Sequence, residues 1–533
     1  MRRILVLAVA ALALLGVVTP DAFAQAPTPT FKISGLVDNM TTYSSNTSNY
    51  DGNLSVRDKQ WYARTRGRFD FIGEVGKAKA VLGLEVDMTY GQTGAGDNNI
   101  QTAGAQVCFG CTGSFDLNTD VRTVLEVKWL YTEFPLPLIP VPTVMRLGAQ
   151  PFGGAANYKL AAYATGDYAG MNIVSTITPN VKVNFTYVQA EESLVGTQHG
   201  QGVAIAQTRG DDFAIIVSPE VTPFKGLDIK PMYSYFFASG TTNGATRQGR
   251  GGVGTSAAFY ANPIAGQWGV NEDRHTIGVD TRLRMGPFSF DPTVLYQFGH
   301  RDVVVPATLA AASGKAAGTI ARADLDAWLL DLRAGFQLGP LLLEALYMFT
   351  TGNDDKDSTL GTVRYFQPLS TDTGYLADWG TQLTSLGLDY FSALGESQLH
   401  IAYPGVAIGW DKYGRHQIGA RATYAVTPAL SMTGGVNVHL THRSIYADTT
   451  APVNGAGLLP NFAAGGSTDK SNYVGTELNL GVTWRFAPGI AWDNAVGYMF
   501  AGEAMNAMVP GAAATRSDAK DPYILTSRVR LTF

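Results

Sequence analysis

Between Tyr62 and Phe71 the chain alternates without a break: Tyr62, Arg64, Arg66, Arg68 and Asp70 take one parity, and Ala63, Thr65, Gly67, Phe69 and Phe71 take the other. Successive side chains of a β-strand point to opposite faces, so this segment reads as a strand with one lipid-compatible face and one face holding four charges. Three arginines on one face need water or counter-charge. The next segment, Lys77 to Tyr90, repeats the device, with Ala78, Ala80, Leu82, Leu84, Val86, Met88 and Tyr90 set against Lys79, Glu85 and Asp87. A soluble sandwich packs its apolar face inward and wets its outer face, and arginine ladders suit that poorly. A barrel in lipid with a wet interior accommodates both faces.

The unit recurs as strand, tight turn, strand, long polar loop. Thr178-Pro179-Asn180, Met285-Gly286-Pro287, Leu338-Gly339-Pro340, Val426-Thr427-Pro428 and Ala487-Pro488-Gly489 are predicted turns, as is Gly73-Glu74-Val75-Gly76, because Pro fixes and Gly permits the backbone angles of a reversal. Strands are predicted at 31–39, 60–73, 77–90, 121–134, 143–150, 170–178, 181–191, 210–219, 227–239, 273–285, 288–300, 325–338, 341–351, 415–427, 430–442, 473–487, 490–501 and 521–533. The stretch 378–403, with Leu383, Leu386, Leu388, Tyr390 and Phe391, forms two more strands or one long loop. The expected fold is all-β, a transmembrane antiparallel barrel of about eighteen strands within a range of sixteen to twenty, with short periplasmic turns and long extracellular loops.

Composition fits this reading. The chain holds 60 Gly, 24 Tyr and 25 Phe with 16% charged residues, at a mean hydropathy near zero. After residue 24 no stretch of eighteen apolar residues occurs, which leaves strands as the only means of spanning a bilayer. Met1 to Ala24 reads as a cleavable secretory leader, with Arg2 and Arg3, an apolar run from Ile4 to Val18, and Ala22-Phe23-Ala24 before Gln25. The expected organisation is therefore a signal peptide at 1–24 and one barrel at 25–533, with no plug domain because alternation starts at Phe31. Removing the leader, which carries Arg2, Arg3 and Asp21, takes the formal charge from −5 to −6 and gives no reason to expect nucleic acid as a partner.

Four segments carry a family resemblance. In Tyr523 to Phe533, Tyr523, Leu525, Val529, Leu531 and Phe533 share one face, with Ser527 the polar exception, and Thr526, Arg528, Arg530 and Thr532 share the other. This resembles the strand that Gram-negative outer-membrane proteins present to the barrel-assembly machinery. Val144 to Phe152 resembles the fifth strand of Gram-negative porins, which leads into the third extracellular loop. Tyr473 to Leu480 followed by Val496 to Glu503 is similar to the C-terminal part of the alginate-export family. The resemblance implies a passive pore for small hydrophilic solutes in the outer membrane, in contact with lipid and lipopolysaccharide, and it admits a homotrimer. Its alternative form is a dedicated channel or exporter for an acidic polysaccharide or another anion.

Alternation assigns pore-lining charges: Arg64, Arg66, Arg68, Asp70, Glu85, Asp87, Arg122, Glu126, Lys128, Arg146, Arg282, Arg284, Arg421, Glu477, Arg485, Arg528 and Arg530. Bases outnumber acids on that face, which predicts a mild preference for anions unless the charges pair across strands. The loop from Pro151 to Gly170 is small and compact, and is expected to fold into the lumen and hold Asp167 opposite Arg64, Arg66 and Arg68.

No catalytic constellation is visible, so a barrel enzyme or adhesin is the lesser reading, and no cofactor is expected. His439 and His442 are three apart, which places them on opposite faces of a strand and suits no shared metal. Asn353, Asp355 and Asp357 imitate the start of a calcium loop, but Ser358 and Arg364 stand where Gly and Glu are needed. Cys108 and Cys111 lie in a loop on the oxidising side and are expected to form a local disulfide.

Overall fold

The computed structural model describes residues 27–47, 59–90, 113–115, 125–137, 139–152, 160, 162–191, 212–238, 271–304, 314–353, 361–369, 379–384, 413–446, 470–506 and 519–533. The leader, Arg122, Cys108 and Cys111 lie outside them, so the readings that rest on these residues are not addressed. In chain order the strands are β1 (Thr30–Ser45), β2 (Lys59–Val75), β3 (Ala78–Tyr90), β4 (Gly113–Phe115), β5 (Leu125–Pro135), β6 (Thr143–Pro151), β7 (Asp167–Thr178), β8 (Val181–Glu191), β9 (Asp212–Phe224) and β10 (Leu227–Ala238). They continue as β11 (Asn271–Met285), β12 (Phe288–Val304), β13 (Ile320–Leu338), β14 (Leu341–Thr350), β15 (Thr362–Val363), β16 (Arg415–Thr427), β17 (Leu430–Tyr446), β18 (Lys470–Ala487), β19 (Ile490–Ala501) and β20 (Tyr523–Thr532).

Apart from β4 and β15, each strand pairs antiparallel with the next. The last returns to the first, with Leu36 opposite Thr532 and Ser45 opposite Tyr523. β4 and β15 are short parallel additions to β3 and β13. The wall is therefore a closed barrel of eighteen strands, which removes the unpaired edges an open sheet would present to lipid. Closure runs to Phe533, whose backbone exchanges hydrogen bonds with Gly35 at 2.9 and 3.0 Å.

All eighteen wall strands correspond to segments recognised from alternation. Two differences are local. Gly73 belongs to β2, and the reversal falls at Gly76-Lys77, where Gly76 takes φ 59°. The described part of 378–403, Trp379 to Thr384, is not strand; it sits inside the barrel.

The exterior is apolar between two aromatic belts. On the long-loop side Tyr43 lies beside Tyr523, Tyr187 beside Phe213, His275 beside Phe298, and Tyr296 beside Trp328. On the short-turn side Phe31 lies beside Phe71, Phe69 beside Phe533, Phe288 beside Phe336, and Trp484 beside Trp492. Along β13 eight residues separate Phe336 from Trp328, roughly 26 Å along the strand at about 3.3 Å per residue, or about 20 Å of height at the usual strand tilt of about 35–45°, of the order of an apolar band of about 25 Å. Above Trp328 the same outward face carries Asp326, Asp324 and Arg322, the last paired with Asp302 at 2.9 Å. The wall thus rises beyond the lipid band on the long-loop side.

Candidate functional site: the barrel lumen

The inner face is charged, and cross-strand register decides which charges meet. On β2 and β3, Arg66 stands opposite Asp87 and Arg68 opposite Glu85. Arg66 binds Asp87 through two nitrogens at 2.6 and 2.7 Å, Arg68 binds Glu85, and Arg64 reaches Asp87 at 3.3 Å. The arginine ladder is therefore matched by an acidic ladder one strand over, and is not a bare basic strip. Asp70 faces Gly83, where an added Cβ would meet Trp129 at 2.8 Å and Asp70 at 3.0 Å; the glycine makes room for both.

β5 contains a bulge that alternation could not reveal. Gly83 pairs with Trp129 but Leu84 pairs with Val127, so Lys128 is the extra residue and the parity of the strand changes there. Glu126 and Lys128 stay on the inner face as predicted, and Trp129, Tyr131 and Glu133 join them. Glu133 then bridges Lys79 at 2.7 Å and Arg146 at 2.7 Å.

The remaining assigned charges fall at the following places. Arg282 stands opposite Asp228, Arg284 pairs with Asp291, Arg421 with Glu344 at 2.7 Å, Arg528 with Asp493 at 2.8 Å, and Arg530 with Asp38 at 2.6 Å. Arg485 is exposed near the short-turn end. Residues left out by the sequence reading include the acids Asp38, Glu74, Glu133, Glu220 and Glu272, against the bases Lys32, Arg301 and Arg415. The basic excess of the inner face is accordingly smaller than alternation alone implies.

Three assigned pore-lining residues are buried and line no open passage: Arg64, Glu85 and Glu477. Glu477 is an anchor. Its Oε1 accepts the backbone N–H of Gln382 at 2.7 Å and of Leu383 at 3.0 Å, its Oε2 accepts the Thr384 hydroxyl at 2.5 Å, and His439 lies 3.4 Å away. Arg415 donates to the Thr384 carbonyl at 3.0 Å, Arg421 to the Trp379 carbonyl at 2.7 Å, and Trp379 Nε1 to Asn437 at 2.7 Å. Segment 379–384 is thus clasped against β16, β17 and β18 from within. His442, by contrast, meets His416 at 3.3 Å and Phe349 on the outer face, so the two histidines do occupy opposite faces.

Two further segments fold inward. Leu160 and Ala162 to Ala164 are buried, with the Tyr163 hydroxyl 2.8 Å from Ser234 and the Tyr163 carbonyl accepting from Leu369 N at 2.7 Å. Gln367 of segment 361–369 receives Arg274 at 3.0 Å and Arg301 at 2.6 Å. Asn353 holds the start of that segment, donating to Thr362 O at 2.8 Å and accepting from Arg364 N at 2.7 Å, while Asp355, Asp357 and Ser358 lie outside the described residues.

The loop after the fifth wall strand does enter the barrel, but its described residues seat on the wall across from the arginine ladder, against Ile216, Met232, Phe236 and Leu295. Asp167 is the first residue of β7 and takes Lys128 at 3.1 Å and Trp129 Nε1 at 2.5 Å; it reaches Arg68 only through Lys128 and Glu85. The expected face-off between Asp167 and Arg64, Arg66 and Arg68 is replaced by a lateral chain of pairs. The physical reason is the apolar upper inner wall of β9 to β14, which offers a buried seat that a charged ladder does not.

A closed wall with a lipid-compatible exterior around a charged interior, crowded from one side by inward segments, defines a transmembrane β-barrel of channel architecture. No known family's sequence profile matches the chain, and no curated relative does. Among solved structures the chain is similar to a BenF-like porin from Pseudomonas fluorescens Pf-5, at 9% identity over 94% of this chain and 99% of that one with a TM-score of 0.46. It is also similar to OccAB3 of Acinetobacter baumannii, at 8% identity over 94% and 99% with a TM-score of 0.46, and to the outer-membrane protein OprD of Pseudomonas aeruginosa, at 8% identity over 96% of each chain with a TM-score of 0.43.

Proposed function

We propose that the protein is an outer-membrane channel for passive diffusion of small hydrophilic solutes, with a mild preference for anions. The observation that carries the reading is an asymmetry within the inner ion pairs. Arg530 is 34% exposed and its partner Asp38 1%; Arg68 is 27% exposed and its partner Glu85 6%. Arg284 with Asp291, Arg333 with Asp331, and Lys79 with Glu133 lean the same way. Lys230 with Glu220, Lys128 with Asp167, and Arg64 with Asp87 lean the other way, which keeps the preference mild. A neutral pair whose acid is buried and whose base faces water presents its positive end to a passing ion, and charged linings bias permeation in that way.

The inner face of β1 to β7 keeps its charges partly exposed, whereas Leu160, Ala162 to Ala164 and segment 361–369 cover the upper inner face of β9 to β14. The passage therefore runs beside β1 to β7. The lipid-matched exterior and the secretory leader support placement in the outer membrane among lipid and lipopolysaccharide, with assembly through the barrel machinery by way of Phe533. The partly exposed guanidinium groups of Arg68 and Arg530 also favour a second reading, a channel for an acidic polysaccharide as the alginate-export resemblance implies; the inward segments favour small solutes over a polymer. Reconstitution in a planar bilayer tests this. The expected result is ohmic conductance with a reversal potential displaced modestly toward that of chloride in a potassium chloride gradient. A membrane-inserted protein without conductance overturns the reading.

A further inference from the structure

His442 meets a second imidazole that its own strand does not supply. It lies on the outer face of β17, and His416 lies on the outer face of the neighbouring β16, both half-buried, with His416 Nε2 3.3 Å from His442 Nδ1. That separation is long for a hydrogen bond. Two nitrogens held about 2.0–2.1 Å from a tetrahedral zinc ion, by contrast, stand about 3.3–3.4 Å from one another. The far nitrogen of His416 is also in use, since Nδ1 lies 3.0 Å from the Tyr347 hydroxyl of β14. A metal-ligating histidine has its other ring nitrogen fixed by such a partner, which sets the tautomer and the ring orientation. Phe349 closes one side, its ring 4.9 Å from that of His416 and edge-on to that of His442 at 5.0 Å. Thr351 N donates to the carbonyl of the belt residue Trp328 at 3.0 Å, and Thr350 stands opposite Arg415. The pair therefore sits near the long-loop aromatic belt, where a bilayer meets water.

We propose that His416 and His442 form a binding site for a zinc-class divalent cation on the outer wall of the barrel, with Tyr347 orienting His416. Both rings ligate as neutral imidazoles. His416 carries its proton on Nδ1 and donates it to the Tyr347 oxygen, which frees Nε2 for the metal; His442 carries its proton on Nε2, which frees Nδ1. The donor type selects the class of ion: zinc, copper and nickel take imidazole nitrogen, whereas magnesium and calcium take oxygen. No third His, Cys, Asp or Glu joins the pair among the described residues, so the remaining coordination positions fall to water. A bound ion ties β16 to β17 from outside, beside Arg415, which holds the Thr384 carbonyl from within at 3.0 Å. The spacing of His439 and His442 along one strand gives no sign of this arrangement, because its second ligand comes from the strand next door.

The test uses the untagged full-length protein in detergent and zinc chloride as the probe, with magnesium chloride as the control. Titration calorimetry should show a saturable zinc site that magnesium does not compete for, and zinc should raise the temperature at which the heat-modifiable band shifts. His416→Gln and His442→Gln should each weaken zinc binding by tenfold or more. Tyr347→Phe, which keeps both ligands, should weaken it by about tenfold while the metal-free heat transition stays where it was. A reading on the wild type needs no variant: zinc should protect His416 and His442 from carbethoxylation by diethyl pyrocarbonate and leave His275 as reactive as before, with mass spectrometry locating the adducts. The proposal is overturned if the wild type binds no zinc, if magnesium competes, if zinc fails to protect the two histidines, or if the His416→Gln/His442→Gln double variant binds zinc as the wild type does. Unchanged affinity in Tyr347→Phe overturns the orienting role of Tyr347.

Discussion

Replacing Glu477 by Gln tests whether the inward segment is held from the wall. In the native protein one buried carboxylate accepts three hydrogen bonds, from Gln382 N, Leu383 N and the Thr384 hydroxyl, at 2.5 to 3.0 Å. Hydrogen bonds to an ionised group contribute about 1.5–3 kcal/mol each and neutral ones about 1 kcal/mol. Loss of charge assistance on three bonds therefore weakens the clasp by roughly 1.5–6 kcal/mol. Against a tenfold change per 1.4 kcal/mol, that moves the docked-to-undocked ratio by at least about tenfold and up to roughly 20,000-fold. The contacts of Trp379 with Asn437 and Arg421 remain, so the segment should detach in excursions and not permanently. Single-channel recordings of Glu477→Gln should show transitions to higher conductance that the wild type lacks, with Glu477→Asp intermediate. Heat-modifiable migration on gels verifies that the barrel itself has formed. A folded Glu477→Gln channel with wild-type level and noise refutes the anchoring argument.

Three further outcomes are expected. Replacing Arg68 and Arg530 together by Gln should shift the reversal potential toward that of the cation by removing the more exposed ends of two pairs; an unshifted potential counts against the orientation argument. Deleting Phe533 removes two backbone hydrogen bonds to Gly35 and the ring beside Phe69, and should lower the heat-modifiable, membrane-inserted fraction in cells; equal insertion would show that the residue is dispensable for assembly. Cys108 and Cys111 should resist alkylation until reduced, and their double replacement by Ser should leave conductance largely intact; two alkylatable thiols in the native protein would exclude the disulfide.

What the order of residues determined alone is the wall. A strand's period of two is local, so alternation in Tyr62 to Phe71 or in Tyr523 to Phe533 already states which face is wet, and Gly and Pro between such runs state where the chain reverses. This is why all eighteen strands, six of the short turns (the first displaced to Gly76-Lys77) and the inner placement of Arg66, Arg68, Arg146, Arg421, Arg528 and Arg530 were legible. Tertiary structure decided what the interior charges do. Whether Arg68 faces a bare lumen or Glu85 depends on the register between two strands, and the bulge at Lys128 shifts parity without any signal in composition. Whether Glu477 lines a passage or clasps Leu383 depends on a segment ninety-four positions away in the chain. Trp379 to Thr384 carries no periodicity because its hydrogen bonds go to the wall and not to a repeating neighbour. Such contacts join residues that only barrel closure brings together, so no window of sequence contains them.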